Sequence, residues 1–547
     1  MLPEKQKYYY LTVKIVFKKL SVFIECSSGR IPSVKHLKEF ALIISKMGYN
    51  SIYLGTSDTF ELKGEPYFGY LRGGYTSSEI KELDRYCQTV GIELCPATQT
   101  LAKFNHLGKY ETYKGYFDVG DILLVGEEKV YSLIDKMFAF FAENYTSRTI
   151  NIGMDEAFRL GTGAYLAKYG YEDRAFIMQK HLDRVSLIAA KYGFQCEMWS
   201  DMFIRIANGG ADATYDLNDK TDYSKLKIKV PDNVTIVYWD YVTNDFDKCN
   251  KNIKKHLSIT PKVSFTGAIW EFMGFAPDNR FSISVADNAI SACKANGIKH
   301  FQISLWADTH GECSFWAVLP SLFYYAEKAN GKEIIDKQRF FEITGEEFDV
   351  LMLTDRVNDP HNKKYSTLNN KSFYYLYQDI FLGEFNSLLS DNIGKAYLDT
   401  ATEFQKHIDG KYGYIFKTLT SLCKCLSIKA ELGKDILNAY KSKNITELKA
   451  CSEKIPQLLC YIDELLQNFT NQWDKESKSF GFEVHLIRLG GLKQRLIYAK
   501  ARLDSYISGK LDQIGELESD HQPFGFLLSA KEDDYMYNEW WNAVSVN

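Results

Sequence analysis

The sequence lacks the long apolar runs and the concentrated charge that mark two large classes of protein. No stretch of about 18 consecutive apolar residues occurs, which predicts that no segment crosses a membrane. No long basic stripe occurs either. The 66 Lys and Arg residues are interspersed among 70 Asp and Glu residues, which gives a net charge of −4. Nucleic acid is therefore not expected as a partner.

Cysteine is sparse and follows no pattern. The 11 cysteines are an odd number without the spacing of a disulfide framework. Cys423 and Cys425 have no second Cys or His pair at zinc spacing, so no metal is expected. Near the N-terminus, Lys14, Lys18 and Lys19 interrupt the apolar stretches, and no cleavage site follows. These features predict reduced thiols, no secretory signal and a cytoplasmic protein.

What the sequence does contain is the composition of a large globular protein. Hydrophobic residues make up 45% and charged residues 25% of the chain. A length of 547 residues predicts two to four domains. Aromatic residues reach 15%, with 37 Tyr and 35 Phe. Aromatic faces stack well on the C–H faces of sugars, so this content gives a first indication of a carbohydrate ligand.

Eight short β-branched segments alternate with amphipathic helical segments between residue 21 and about residue 330. The predicted strands cover residues 21–26, 51–55, 92–97, 148–154, 194–199, 233–239, 263–270 and 299–306. Eight such repeats predict a (β/α)₈ TIM barrel, a fold that typically takes about 250 residues plus insertions. A doubly wound open sheet is the alternative, but the Gly-rich phosphate turn that usually follows its first strand is absent.

From about residue 331 the pattern changes. Glycine becomes sparser and long helical patterns dominate, which predicts an α-helical C-terminal domain packed on the barrel. The predicted organisation is a short N-terminal lead (1–20), a catalytic barrel (21–330) and a helical C-terminal domain (331–547).

Tryptophan and carboxylate side chains follow the ends of five successive predicted strands. They are Asp155 and Glu156 after the fourth strand, Trp199 and Asp201 at the fifth, Tyr238, Trp239 and Asp240 at the sixth, Trp270 and Glu271 at the seventh, and Trp306 and Asp308 at the eighth. The active sites of such barrels lie at the C-terminal ends of the strands. We therefore expect a sugar pocket lined by indole rings and carboxylates. The alternative is that the tryptophans cap the barrel core.

Asp155 and Glu156 are the predicted catalytic carboxylates. Glycoside cleavage needs an acid that protonates the leaving oxygen, and some enzymes let the 2-acetamido oxygen of the substrate attack in place of a protein nucleophile. A second carboxylate then orients the acetamido group and stabilises its developing positive charge. At a strand end, Glu156 can reach the leaving group while Asp155, one position upstream, lies beneath the sugar.

Residues 151–156 (Asn-Ile-Gly-Met-Asp-Glu) resemble the fourth-strand signature of glycoside hydrolase family 20, the β-N-acetylhexosaminidases, which reads His-x-Gly-Gly-Asp-Glu. One glycine and both acids are kept, and Asn151 replaces the histidine. The resemblance covers about residues 21–330. It implies a barrel enzyme that removes terminal β-linked GlcNAc or GalNAc by substrate-assisted retaining catalysis through an oxazoline intermediate.

The resemblance also implies how the sugar is bound. Ser28-Gly29-Arg30 is similar to a first-strand segment ending Asp-x-Ser-Arg, so Arg30 is expected to bind the C3 and C4 hydroxyls. Leu305–Asp308 is similar to an eighth-strand Leu-Trp-x-Glu segment, so Trp306 is expected to stack under the sugar and Asp308 to bind its outer hydroxyls. Trp199 fits as a wall against the acetamido methyl.

One family residue is replaced. A tyrosine near the end of the seventh strand holds the acetamido oxygen in the family, and this chain has Trp270 there. That role is expected to pass to Tyr238 or Tyr241 on the sixth strand. Trp239 and Glu271 complete the expected substrate-binding residues.

Three other functions stay open at this point. Glu156 and Glu271 occupy the positions of the acid and the nucleophile in retaining β-glycosidases that use two protein carboxylates, although that clan usually has Asn in place of Asp155. An O-GlcNAcase-like hydrolase would use the substrate-assisted chemistry, usually with two adjacent aspartates. A barrel that binds carbohydrate without cleaving it is the non-enzymatic alternative.

The expected ligand is an oligosaccharide or glycoconjugate with a terminal N-acetylhexosamine. The chemistry requires no metal and no other cofactor. A homodimer is the default expectation for the quaternary structure.

Overall fold

The structure is a computed structural model that describes residues 17–210, 215, 217–308, 310–361 and 371–520. Most of the predicted N-terminal lead (1–16) and the end of the predicted C-terminal domain (521–547) lie outside the described residues.

Ten strands occur in the described part of the chain. They are β1 Lys19–Glu25, β2 Ser51–Gly55, β3 Glu93–Ala97, β4 Phe117–Val119, β5 Ile122–Leu123, β6 Thr149–Asn151, β7 Gln195–Trp199, β8 Val234–Trp239, β9 Val263–Ala268 and β10 His300–Leu305. Eight of them close into a parallel barrel in the order β1-β10-β9-β8-β7-β6-β3-β2. The predicted TIM barrel is therefore confirmed, and β4 and β5 form a small antiparallel pair outside it.

The fourth barrel strand is shorter than the sequence predicted. The apolar pattern extends to residue 154, but β6 ends at Asn151. Gly153 and Met154 have φ angles of 68° and 66°, in the left-handed region that a strand does not tolerate. The chain therefore leaves the barrel wall just before the predicted acid pair.

Helices surround the barrel and form the C-terminal part. In the barrel region they are α1 Val34–Met47, α2 Ser77–Thr89, α3 Glu128–Asn144, α4 Ala164–Tyr169, α5 Arg174–Lys191, α6 Asp201–Ala207, α7 Phe246–Ile259, α8 Asn279–Ala295 and α9 Leu319–Ala329. Beyond it lie α10 Lys337–Thr344, α11 Phe348–Met352, α12 Lys371–Tyr377, α13 Ile393–Phe404, α14 Gly413–Lys441, α15 Ile445–Glu476, α16 Phe482–Ile507 and α17 Gly515–Glu518. The helical C-terminal region is confirmed, while its boundary at residue 331 stays a prediction.

Both faces of the barrel strands are buried, which explains their nearly continuous apolar sequences. All five residues of β2 and all six of β9 are buried. A parallel sheet covered by helices produces this pattern, because one face packs on the helices and the other fills the barrel. Among the described residues, no helix combines the length and the apolarity needed to span a bilayer.

The C-terminal helices pack against the loops at the C-terminal ends of β1 and β10. The Nη1 atom of Arg488 in α16 lies 2.8 Å from a carboxylate oxygen of the fully buried Glu312. Gln472 in α15 donates a hydrogen bond to the carbonyl of Glu312. The backbone N–H of Lys478, just after this helix, donates to the carbonyl of Ile31. The helical region therefore supports the same end of the barrel on which the predicted site lies.

The Glu312–Arg488 ion pair predicts a large stability effect. We expect Arg488→Met to lower the free energy of unfolding by about 3–5 kcal/mol, since removing one partner of a buried pair leaves the other charge uncompensated. Lys493→Met on the same helix is the matched control. Its exposed pair with Asp463 should cost less than about 1 kcal/mol. Urea unfolding followed by circular dichroism measures both, and equal losses would contradict a structural role for the buried pair.

Candidate active site

A cavity of about 1350 Å³ opens at the C-terminal ends of the barrel strands. Nine of the eleven residues predicted from the sequence line it. They are Asp155, Glu156, Trp199, Tyr238, Trp239, Tyr241, Trp270, Trp306 and Asp308. The other two, Arg30 and Glu271, do not.

The backbone that carries the acid pair is strained. Met154 and Glu156 have positive φ angles of 66° and 55°. A non-glycine residue in such a region costs roughly 1–3 kcal/mol and persists only where its surroundings hold it. Here the N–H of Met154 donates to Gln99 Oε1 at 3.2 Å, and the N–H of Glu156 donates to Asp201 Oδ2 at 2.9 Å. Side chains from both neighbouring strands therefore fix the direction in which the acids point.

Lys103 joins the two carboxylates of the acid pair. Its Nζ lies 2.5 Å from Asp155 Oδ2 and 3.1 Å from Glu156 Oε2, while Gln99 Nε2 donates to Asp155 Oδ1 at 2.8 Å. Burial opposes the lysine charge, but the two carboxylates outweigh it and raise the pKa of Lys103 well above its ordinary value. The side chain of Asp155 is 9% exposed and that of Glu156 is 38% exposed. Glu156 is thus the more accessible of the two acids.

Asp201 lies behind the acid pair and is fully buried. Burial, followed by the negative charge of Asp155, raises the pKa of Asp201 to about 7. Its Oδ2 accepts from the backbone of Glu156 and lies 3.4 Å from Arg205 Nε. The carboxyl group therefore supports the strained backbone from below.

Aromatic side chains form a continuous wall opposite the acids. The ring centroids of Trp199 and Trp306 are 5.7 Å apart, and Phe23 lies 5.0 Å from Trp306. Trp306 Nε1 donates to the hydroxyl of Tyr241 at 3.2 Å, and the ring of Tyr241 lies 5.2 Å from Trp239. The predicted indole-lined pocket is present, with its rings held at fixed angles by edge and tilted contacts.

The structure distinguishes the two candidate tyrosines of the sixth barrel strand. The hydroxyl of Tyr238 donates to Asp240 Oδ2 at 2.6 Å, and its ring stacks 4.3 Å from His256 on the neighbouring helix. Tyr241 instead presents its hydroxyl beside Trp306, and its carbonyl accepts from Trp270 Nε1 at 2.9 Å. Tyr241 is therefore the tyrosine whose hydroxyl lies at the aromatic wall.

A second carboxylate pair lies across the cavity. Asp308 is exposed to the cavity. Desolvation by the surrounding protein, followed by the negative charge of Glu25, raises the pKa of Asp308 to about 7. Glu25 ends β1 and accepts hydrogen bonds from the hydroxyls of Ser27 and Ser28 at 2.9 and 2.5 Å and from the N–H of Ala307 at 2.9 Å. These acceptor oxygens are suited to hydroxyl groups.

Arg30 and Glu271 are buried and do not line the cavity, so their predicted contacts with the sugar stay predictions. Arg30 is 2% exposed, its Nη1 donates to the carbonyl of Cys313, and its guanidinium lies 3.8 Å above the ring of Phe315. The preceding Gly29 has a φ of 114° and itself lines the cavity. Glu271 is 2% exposed, and neither carboxyl oxygen has a hydrogen-bond partner among the described residues. Burial raises the pKa of Glu271 well above its ordinary value.

Several cavity residues were missed by sequence reasoning. These are Glu25, Arg72, Gln99, Lys103 and Tyr215. Gln99 and Lys103 follow β3, and Glu25 ends β1. Applying the strand-end rule to the first three strands would therefore have found these three residues. Arg72 and Tyr215 lie on longer loops, where no periodicity gives a side-chain direction. Among the described residues, no group of three or more His, Cys, Asp and Glu side chains is arranged to hold a metal ion.

Comparison with known proteins finds a matching family model and two similar proteins. Residues 346–533 match the Glycoside Hydrolase 20C C-terminal domain. "Hexosaminidase D" of Bos taurus is 26% identical over 227 residues, 39% of this chain and 60% of that protein. "Hexosaminidase D" of Homo sapiens is 23% identical over 230 residues, 40% of this chain and 44% of that protein. The aligned part of the chain thus spans 60% or less of the length of these relatives.

Solved structures of similar fold include two bacterial enzymes. The β-N-acetylhexosaminidase from Bacteroides fragilis is 15% identical, with a TM-score of 0.45, over 60% of this chain and 72% of that one. The GH20 β-N-acetylhexosaminidase from Streptomyces coelicolor A3(2) is 15% identical, with a TM-score of 0.42, over 59% of this chain and 69% of that one.

The raised pKa of Asp201 predicts a pH-dependent stability. The folded protein keeps this proton up to about pH 7, while the unfolded chain loses it near the ordinary value of 3.8. The folded state therefore loses relative stability as pH rises from about 4 to 7. Asp201→Asn has no such charge and can still accept from the N–H of Glu156. Its unfolding free energy relative to wild type should rise over this range, by at most about 4 kcal/mol.

Urea unfolding at pH 4.5, 6 and 8 measures this difference. Asp399→Asn, at an exposed carboxylate paired with Lys395, is the control and should show no comparable trend. Parallel curves for wild type and Asp201→Asn would show that Asp201 does not titrate as stated.

Proposed function

We propose that this chain is an exo-acting β-N-acetylhexosaminidase of glycoside hydrolase family 20, a proposal supported by the match of residues 346–533 to the C-terminal domain of the 20C glycoside hydrolases. Its substrates are oligosaccharides or glycoconjugates with a terminal β-linked GlcNAc or GalNAc. The single observation that carries the proposal is the Asp155–Glu156 pair, bridged by Lys103 and facing an indole-lined cavity.

The terminal sugar binds against the aromatic wall. Trp306 stacks under the ring, and Trp199 contacts the acetamido methyl. The hydroxyl of Tyr241 holds the acetamido oxygen, a role supported by its place beside Trp306. Asp308 and Glu25, which both line the cavity, accept hydrogen bonds from the outer hydroxyls.

The two acids divide the chemistry between them. Glu156, the more exposed acid, donates a proton to the glycosidic oxygen as its bond to the anomeric carbon breaks. The acetamido oxygen forms a new bond to the same carbon, which gives an oxazoline and retains the configuration after the second step. Asp155 orients the acetamido group and balances the positive charge that develops on its nitrogen. Glu156 then takes a proton from the water that opens the oxazoline.

Lys103 holds both acids in place and balances negative charge in the site. Its ammonium group contacts Asp155, the residue that stabilises the positive charge on the acetamido group. Because Lys103 also contacts Glu156, proton donation by Glu156 leaves a carboxylate that the ammonium stabilises.

The alternative of a protein nucleophile is disfavoured by one observation. Glu271, the residue at the nucleophile position of the two-carboxylate β-glycosidases, is 2% exposed and does not line the cavity. A nucleophile must approach within about 3–3.5 Å of the anomeric carbon.

We also propose a cytoplasmic location and a homodimer. The location is supported by the cysteines, because all 11 are unbridged thiols and ten of them are buried. The homodimer rests only on the general frequency of symmetric pairs.

Substitutions of Asp155 and Glu156 separate the roles of the two acids. Glu156→Gln should cost about 10²–10⁴-fold in rate on a natural oligosaccharide, the range of general acid catalysis. On an activated nitrophenyl glycoside, whose phenolate departs unaided, the loss in the first step should be much smaller. Asp155→Asn should slow both substrates similarly, because the acetamido group must be oriented whatever departs. Equal damage by Glu156→Gln on both substrates, with Asp155→Asn nearly silent, would overturn this division.

The second prediction concerns the nucleophile. A thiazoline mimic of the oxazoline should inhibit far more strongly than the product sugar, because it resembles a bound intermediate. The enzyme should hydrolyse nitrophenyl N-acetyl-β-glucosaminide or -galactosaminide but not the plain β-glucoside. A 2-fluoro glycoside should leave no covalent adduct on Glu271, as peptide mass spectrometry can check. A labelled Glu271 peptide would favour the two-carboxylate mechanism instead.

A further inference from the structure

Three tyrosines form an exposed aromatic cluster at the mouth of the cavity, here named the tyrosine platform. Tyr67 stacks on Tyr110 with ring centroids 5.6 Å apart and an interplanar angle of 24°. Tyr70 meets both rings edge-on, at 5.6 and 5.7 Å. Tyr67 and Tyr70 are 40% and 44% exposed, and Tyr70 and Tyr110 line the cavity. Large exposed aromatic surface of this kind marks a binding site more often than a packing need.

The tyrosine platform shares a loop with the lysine that contacts the proposed acid Glu156. Tyr110 belongs to the same loop after β3 as Lys103, whose Nζ lies 3.1 Å from the carboxylate of Glu156. Because Glu156 protonates the glycosidic oxygen, the sugar beyond that oxygen extends toward this loop. A cavity of about 1350 Å³ exceeds the roughly 300–1000 Å³ of ordinary ligand pockets, so it has room for more than one sugar ring.

A lysine without an ion-pair partner among the described residues adjoins the tyrosine platform. Lys109 lines the cavity, and among the described residues no carboxylate oxygen lies within ion-pair distance of its Nζ. The other cations on this side are neutralised, Lys103 by the acid pair and Arg72 by Asp58.

The contact that Lys109 does make leaves its charge available. Its Nζ lies 3.4 Å from Nδ1 of His106. Burial, and then the positive charges of Arg72 and Lys109, lower the pKa of His106 to about 4. The imidazole is therefore neutral at physiological pH and can accept a hydrogen bond from the ammonium group. A lysine in this state acts as a mobile point charge suited to carboxylate or sulfate oxygens.

We propose that the tyrosine platform and Lys109 form a subsite for the sugar on the leaving side of the scissile bond, and that this sugar carries an anionic group, a carboxylate or a sulfate. The inference rests on the proposed hexosaminidase function. The tyrosine rings stack on the face of this sugar, and the ammonium group of Lys109 binds its carboxylate or sulfate. The favoured substrate is then a terminal N-acetylhexosamine linked to an acidic sugar.

Three disaccharides test this subsite on the full chain. Each has β-1,4-linked GlcNAc, attached to glucose, to glucuronic acid or to 6-O-sulfated glucose. We expect kcat/KM to be about fivefold higher, mainly through KM, for at least one acidic disaccharide than for the neutral one. The preference should shrink in 0.5 M salt, because a charge at the cavity mouth is screened. The ratio of kcat/KM for the two acidic disaccharides shows whether the subsite prefers a carboxylate or a sulfate.

Variants assign the preference to its residues. Lys109→Met should abolish it while leaving kcat/KM on nitrophenyl N-acetylglucosaminide unchanged. Lys248→Met is the matched control, because Lys248 is an exposed lysine of the opposite cavity wall without a carboxylate partner among the described residues, and it should keep the preference. Tyr110→Ala should raise KM for all three disaccharides and leave their ratios unchanged, since stacking does not sense charge.

The outcomes separate this inference from the function on which it rests. Equal kcat/KM for all three disaccharides, or a preference that survives Lys109→Met, would overturn the subsite while the hexosaminidase proposal stands. If neither the disaccharides nor the nitrophenyl substrate is cleaved, the proposed function fails and the subsite fails with it.

Discussion

The ammonium group of Lys103 between two adjacent carboxylates is the interaction on which the rest of the site depends. Two like charges about 4 Å apart repel by about 4 kcal/mol at the effective dielectric near a protein surface. Asp155 and Glu156 are neighbours in sequence and both point into the cavity, with Asp201 close behind. The ammonium group of Lys103, which contacts both carboxylates, offsets this repulsion and allows both side chains to point into the cavity.

The barrel explains how these groups come together. Gln99 and Lys103 follow β3, the acid pair follows β6, and Asp201 follows β7, and these three strands are neighbours in the barrel. The parallel arrangement brings their C-terminal ends to one place. Side chains from both flanking strands can then hold the left-handed backbone of the middle segment. The C-terminal helices support the opposite side of the cavity, where Gly481 and Val484 reach its wall.

Much of this arrangement could be predicted from the sequence, and the misses have physical reasons. All eight barrel strands were predicted, because two-sided burial gives them continuous apolar sequences between amphipathic helices. The indoles and the acid pair were found because strand ends converge. The burial of Arg30 against Cys313 and Phe315 could not be predicted, because those residues lie almost 300 positions away in the sequence. Lys103 was missed because the strand-end rule was applied only from the fourth strand onward, although Lys103 lies in the loop that follows β3.

In the proposed mechanism, the substrate's own acetamido oxygen is the nucleophile at the Asp155–Glu156 pair. The most direct measurement is kcat/KM for a series of aryl glycosides whose N-acetyl group carries zero, one, two or three fluorine atoms. Fluorine withdraws electrons from the carbonyl and weakens its oxygen as a nucleophile. We predict that kcat/KM falls steeply with each added fluorine while the sugar still binds in the aromatic pocket. A rate that is independent of fluorination would contradict it, because the nucleophile would then belong to the protein.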